Sequence, residues 1–211
     1  MGVRIQSDDN GQLYPFRFVG ALRCKVPNVI LYDDRQIREI KAFCFAAESA
    51  SVLSFDKTFN LGSIYVTPSV YKNTAVNRKR TGDHPTFLGP IFLHGHSDRQ
   101  NYGMFFSHLS VLMMDCNQQA LTLGSDDELA LRHCMQAFFP RAAQISCTRH
   151  LQENVRRQLD ERIGSRSELR RSLYNGLFGA DGLTSQTDVI SFDEAVERYR
   201  REAAGRAERL R

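Results

Sequence analysis

From about residue 50 the chain alternates short apolar or β-branched runs with helical stripes, and this alternation constrains its fold more than any other feature. Val52-Leu53-Ser54-Phe55-Asp56 reads as a buried strand ending in an acid, and Ile64-Tyr65-Val66-Thr67 as a second, β-branched strand. Residues 71–84 are polar and basic, hence a loop or hairpin, and Pro90-Ile91-Phe92-Leu93-His94 is a third strand. Residues 102–114 then carry a helical stripe (Phe105, Phe106, Leu109, Leu112, Met113), and Ala120-Leu121-Thr122-Leu123-Gly124 is a fourth strand. Residues 129–139 come next as a helix stopped by Pro140, residues 142–147 as a fifth short strand, and residues 151–163 as an arginine-rich helix ending at Gly164. Three strands close in sequence can pair antiparallel, whereas strands joined through helices satisfy the long crossover that parallel pairing requires. The order β-β-β-α-β-α-β-α therefore predicts a mixed α/β domain built on one sheet.

The flanks have a different texture. Residues 1–22 read as a polar lead-in, followed by the apolar run Val29-Ile30-Leu31 and a helix after Asp33-Asp34 with Ile37, Ile40, Phe43 and Cys44 on one face. Beyond residue 163 the chain is polar and helical, with a glycine-rich break at 176–182 and a charged helix from Ser191. The expected division is a lead-in with a helix (1–49), the sheet domain (50–163) and a helical C-terminal extension (164–211). Hydrophobic residues make up 42% of the 211 and charged residues 25%, enough to pack a core. The apolar stretch at 105–114 falls short of the ~20 residues that cross a bilayer, and the N-terminus lacks the apolar run of a secretory signal. The expectation is an intracellular, non-secreted protein without membrane contact, nuclear in a eukaryote and otherwise cytoplasmic. The five cysteines are scattered and include no CxxC pair, so neither a disulfide framework nor a four-cysteine zinc site is suggested; most should be reduced, buried thiols.

Asp56 ends the first of these strands and Asp126 the fourth. If the two strands lie side by side, both carboxylates leave the same sheet edge. Two close carboxylates are held ionised most readily by a cation, and hard oxygen ligands favour Mg²⁺ or Mn²⁺. Paired divalent ions can activate a water or a 3′ hydroxyl and stabilise the leaving oxygen of a phosphoryl displacement. Each Asp taken alone is also compatible with a strand-end turn or a helix N-cap. Cys147 and His150 share a strand end and the following turn; they suit either an architectural hydrogen bond or a metal or DNA contact, and two ligands do not make a zinc site. His94 and His96 mimic a metal pair on a strand, but Gly95 and Ser97 point to a strand that is ending and to a surface or core-edge position. His108 and His133, within apolar helices, are expected as packed side chains. The net charge of +4 is unevenly spread: arginines gather at Arg156, Arg157, Arg162, Arg166, Arg170 and Arg171, again from Arg198 to Arg211, and with Lys79 at Arg78-Lys79-Arg80. Such groups either neutralise phosphates or solvate a helix face. If the helix runs on through Gly164, Arg162, Arg166 and Arg170 form an i, i+4, i+8 row.

Several ordered motifs resemble one family. Asp56-Lys57-Thr58-Phe59 resembles the D-x-T-F/Y segment that opens the catalytic domain of Mutator-like element transposases. His84-Pro85-Thr86-Phe87-Leu88-Gly89-Pro90 and the helix at 102–109 are similar to the segments next in order in that family. Asp126-Asp127-Glu128-Leu129-Ala130-Leu131 resembles its T-D-x-E-x-A-L segment, with Asp126 rather than Asp127 as the acid. Phe139-Pro140-Arg141-Ala142, Cys147-Thr148-Arg149-His150 and Asn154 resemble its F-P-x-A and C-x-x-H-x-x-x-N signature. The resemblance covers residues 50–160 and implies a ribonuclease-H-like DDE transposase core: Mg²⁺- or Mn²⁺-dependent DNA cleavage and strand transfer at a two-metal site. It makes Asp56 and Asp126 the catalytic, metal-binding acids, Cys147 and His150 a motif near the site, and DNA the partner, with self-association possible. The basic stretch Arg156, Arg157, Arg162, Arg166 and Arg170 would then track DNA phosphates. The chain departs from the family at the third acid: no N-x-x-E segment lies downstream, and Glu194 and Glu197 resemble the start of the family's helical insertion instead. The zinc-binding recognition domain usual before the core has no counterpart. An incomplete catalytic core is the expectation, and its alternative is a relic or domesticated nucleic-acid-binding module that keeps the fold without catalysis.

Overall fold

The computed structural model describes residues 17–21, 28–46, 51–57, 59–126, 128–164 and 167–208. They form two compact units, Met1–Cys147 and Thr148–Arg211. The first is an α/β unit on one mixed sheet.

Strands β1 (Arg17–Ala21) and β2 (Asn28–Tyr32) precede helix α1 (Asp34–Cys44). Then come β3 (Leu53–Phe55), β4 (Phe59–Leu61), β5 (Ile64–Lys72) and β6 (Thr86–His94), followed by α2 (Arg99–Leu112), β7 (Thr122–Ser125), α3 (Leu129–Phe138) and β8 (Ala143–Ser146). The sheet order is β1-β2-β6-β5-β3-β7-β8, with β4 hairpinned onto β5. From β1 through β3 every pairing is antiparallel; β7 and β8 run parallel to β3. Each parallel strand comes after a helix, α2 or α3, which supplies the crossover.

One face of the sheet carries the core. Ile30, Tyr32, Leu53, Phe55, Phe92 and Leu123 are buried against Ile37 and Ile40 of α1, Tyr102, Phe105, Phe106 and Leu109 of α2, and Leu131 and Met135 of α3. Aromatic rings fill its centre: Phe92 stacks on Phe105 at 5.0 Å, and Phe55 meets the edge of Phe106 at 4.9 Å. Helix α1 starts where expected, because Asp33 and Gln36 form a reciprocal capping box. Asp98 caps the start of α2, its carboxylate accepting from the Asn101 N–H.

Three expectations are corrected. The stretch 1–49 is not merely a lead-in, since β1 and β2 extend the sheet and α1 packs on it. The reason is the alternation in β2, which buries Ile30 and Tyr32 on the core face. Strands β5 and β6 are each longer than their apolar runs. β5 passes Pro68, which has no N–H to donate, by a register shift between Pro68 and Val70, and the Ser69 hydroxyl donates to the Pro90 carbonyl there. The expected boundary at 163/164 lies instead at 147/148.

The second unit comprises α4 (Thr148–Ile163), α5 (Glu168–Phe178) and α6 (Val189–Glu208). Gly164, in the left-handed region at φ +94°, ends α4, so the helix does not continue and the i, i+4, i+8 arginine row does not form. Arg166, one of that row, lies outside the described residues. No described helix is long and apolar enough to cross a membrane. Of the described cysteines, Cys44 and Cys134 are buried, Cys116 is half-buried and Cys147 exposed. All four are free thiols, but burial is less common than expected, because Cys116 and Cys147 sit in the turns after α2 and β8.

Candidate functional site

β3 and β7 are neighbours, paired in parallel with Phe55 level with Ser125. The next residue on each strand is an aspartate, so Asp56 and Asp126 leave the same carboxyl edge of the sheet at the same level. Adjacent strands run about 4.8 Å apart, which makes the two backbones immediate neighbours. Both aspartates are half-buried. The Asp56 N–H donates to the Pro68 carbonyl at 3.4 Å, tying the acid to the antiparallel side of the sheet. The Asp126 carboxylate accepts the Glu128 N–H at 3.3 Å, a turn that directs the chain into α3. Asp127 lies outside the described residues.

β8 continues the edge. It pairs in parallel with β7, Ser146 level with Ser125, and the Cys147 N–H donates to the Ser125 carbonyl at 2.7 Å. Asp56, Asp126 and the exposed Cys147 therefore terminate three consecutive parallel strands. His150 stands in the first turn of α4, in the second unit.

The structure adds residues that sequence reasoning did not single out. Lys57, directly after Asp56, places its ammonium 3.3 Å from the Glu128 carboxylate and 5.2 Å from the centre of the Tyr65 ring. Glu128 also accepts the Tyr102 hydroxyl at 3.1 Å. Burial, more than the neighbouring carboxylate, raises the Tyr102 phenol above its ordinary range, so it serves as a neutral donor. The signal in the sequence was slight: a lysine adjoining one aspartate and a glutamate two residues past the other.

Carboxylate oxygens suit a hard divalent cation, and Mg²⁺ commonly takes one or two carboxylates from a protein and fills its sphere with water. Asp56 and Asp126 fit that requirement. A two-ion site draws on more ligands, and among the described residues no cluster of three or more His, Cys, Asp or Glu side chains is poised to hold a metal. Glu128 is in no such set, and its Oε2 is taken by Lys57 and Tyr102.

Among the other histidines, His94, His108 and His133 engage neighbouring groups of the sheet unit. His94 is buried, its Nδ1–H donating to the His96 carbonyl at 2.9 Å and its Nε2 accepting from the Thr67 hydroxyl at 2.8 Å. It lies in the core rather than at the surface, since it ends β6 on the inward face while the exposed His96 lies beyond the strand. His108 meets the Tyr32 hydroxyl at 3.0 Å. His133 is exposed and not packed as expected: it occupies the outer face of α3 and accepts from Arg99 at 2.5 Å.

In the second unit, the arginines expected to meet DNA are largely engaged with neighbours. Arg156 donates to the Tyr174 hydroxyl at 3.1 Å and lies over its ring, Arg157 donates to Asn154 at 3.2 Å, and Arg170 forms an ion pair with Asp160. Arg162 is exposed on the last turn of α4.

Comparison with protein-family models found no match to this chain, and comparisons with curated proteins and with solved structures found none either.

Proposed function

We propose that residues 53–146 form a ribonuclease-H-like transposase core of the Mutator-like kind, which uses Asp56 and Asp126 for metal-dependent phosphoryl transfer on DNA. The observation that carries this reading is the parallel pairing of β3 with β7, which sends both aspartates from one sheet edge. The fold reading draws support from the sub-order β6-β5-β3-β7-β8, antiparallel on one side of β3 and parallel on the other. Asp56 and Asp126 would hold Mg²⁺ or Mn²⁺, and the bound ion would supply charge stabilisation to the displaced oxygen. The chain's own contribution is placement. The Pro68 carbonyl, accepting from the Asp56 N–H, and the Glu128 N–H, donating to the Asp126 carboxylate, fix the two strand ends, and Lys57, the residue after Asp56, pairs with Glu128.

The test joins metal binding to plasmid nicking. Mn²⁺ binding followed by electron paramagnetic resonance should weaken about tenfold or more in Asp56→Ala and in Asp126→Ala, the loss expected when one of two anionic ligands is removed (about 1.4 kcal/mol or more). Slow, metal-dependent nicking by the intact chain should disappear in both variants. Nicking that survives both substitutions would place the chemistry elsewhere.

One observation favours a second reading, a nucleic-acid-binding module that keeps the fold without catalysis: Oε2 of Glu128, the acid two residues past Asp126, is taken by Lys57 and Tyr102. DNA binding without nicking in either Mg²⁺ or Mn²⁺ would select it.

A further inference from the structure

The loop between β5 and β6, residues 73–85, is a closed hairpin. The Asn73 N–H donates to the Pro85 carbonyl at 3.0 Å, the Arg78 N–H to the Asp83 carbonyl at 2.8 Å, and the Gly82 N–H to the Arg78 carbonyl at 2.9 Å. The Asn73 side chain accepts the Ala75 N–H, and a His84 ring nitrogen donates to the Val76 carbonyl at 3.1 Å. Gly82 takes the left-handed conformation, φ +74°, that closes the tip. On this scaffold stand Arg78, Lys79 and Arg80, consecutive and exposed, and none of them makes an ion pair among the described residues. Four of the arginines of α4 and α5 differ in this respect, since Arg149, Arg156, Arg157 and Arg170 each have a side-chain partner within the unit, whereas Arg162 and Arg171 are exposed.

We infer that the tip of this hairpin is a phosphate-contacting surface for duplex nucleic acid, with Arg78, Lys79 and Arg80 as the contacts. Contiguous cations held on a preformed turn match a polyanion with a regular charge spacing, and little ordering is needed on binding. The partner is a paired backbone rather than unpaired bases: residues 73–83 contain no aromatic ring to stack a base, and the His84 ring is tied to the loop's own backbone. An acidic protein fits less well, because the one large apolar side chain exposed on residues 73–83 is Val76, and the loop has none of the aromatic anchors that dominate protein interfaces.

The hairpin lies at the sheet end opposite the two aspartates. β5 runs antiparallel to β3, Pro68 is level with Asp56, and the Lys72 N–H donates to the Ser51 hydroxyl before β3 begins. The four residues from Pro68 to Lys72 alone span about 14 Å at about 3.4 Å each. This inference shares with the function proposed above only the choice of a nucleic acid as partner, and the distance lets the two be tested separately.

The experiment is fluorescence anisotropy of a labelled duplex DNA titrated with the 211-residue chain at several salt concentrations. Each phosphate contact contributes about 0.9 to the slope of log affinity against log salt. Replacing Arg78, Lys79 and Arg80 by Gln should therefore flatten the slope by about 2.7. Between about 50 and about 200 mM salt, the wild type should then lose roughly 40-fold more affinity than the variant does. Arg78→Lys with Arg80→Lys keeps the charge and should keep the slope. Asp56→Ala with Asp126→Ala should also leave it unchanged, while removing metal-dependent nicking if the active-site reading holds. An unchanged slope in the triple Gln variant, no duplex binding by the wild type at low salt, or tighter binding to a polyglutamate probe than to DNA would each overturn the inference.

Discussion

His94 has both ring nitrogens committed, one to the His96 carbonyl and the other to the Thr67 hydroxyl, and its ring stacks on Phe92 with centroids 4.5 Å apart. Burial pushes its pKa below the ordinary value of 6.5, partly opposed by the carbonyl at His96, and burial does the same to His108. In both cases the unfolded chain binds a proton more readily than the folded one. Their contribution to stability is therefore whole above about pH 6.5 and is lost as the pH falls from there towards the depressed folded-state values. The urea midpoint should drop between about pH 7.5 and about pH 5.5, and the drop should shrink in His94→Asn with His108→Asn. A pH dependence unchanged in that double variant would show that these rings are not its source. Lys57 presents a related test. Lys57→Met leaves the mostly buried Glu128 carboxylate with the Tyr102 hydroxyl but no cation, at a cost of about 1 kcal/mol, which chemical denaturation would read. The Lys57–Glu128 pair is not visible along the chain, since the two residues are brought together by strand pairing and not by spacing.

At the scale of elements, the sequence pattern located α1, α2 and α3 of the sheet unit, because each has a one-sided apolar stripe and most have a local start or stop signal. Ile37, Ile40 and Cys44 line the buried face of α1, and Leu131, Cys134 and Met135 that of α3. It failed where a strand survives a residue that usually ends one. Pro68 and Pro90 lie inside β5 and β6, tolerated because the bulge and the Ser69 hydroxyl absorb the missing donor. β1 and β4 were also missed: Gly20 cuts short the apolar run of β1 in a polar stretch, and β4 has three residues. In the second unit the close approach of α5 and α6 rests on Gly176, where a Cβ would lie 2.6 Å from the Tyr199 ring. Gly176→Ala should destabilise the helix pair by about 1–3 kcal/mol through overpacking. Faster amide exchange in α5 and α6, relieved by adding Tyr199→Leu, would report it; unchanged exchange would mean that the ring moves aside freely.

For the molecule as a whole, the main core cluster lies entirely between Ile30 and Ala142, whereas in the helical unit Ala195 is the one hydrophobic side chain among the described residues that is buried. Opening free energy tracks local burial and packing, so amides of β2, β5 and β6 should be the most protected in hydrogen exchange and those of α4 to α6 should exchange much sooner. Equal protection in both units would contradict this. The same contrast separates the legible features from the rest. The sequence by itself determined the class of the fold and the positions of Asp56 and Asp126 at strand ends, because strand and helix periods are set by neighbouring residues and each acid comes directly after its apolar run. Only the tertiary structure decided that β3 and β7 are neighbours, that Lys57 and Tyr102 engage Glu128, that Arg156 and Arg170 find partners within their own unit, and that Arg78, Lys79 and Arg80 stand together on the closed β5–β6 hairpin. Each of these depends on which distant residues share a surface, and that is set by packing the whole chain, not by the period of any one segment.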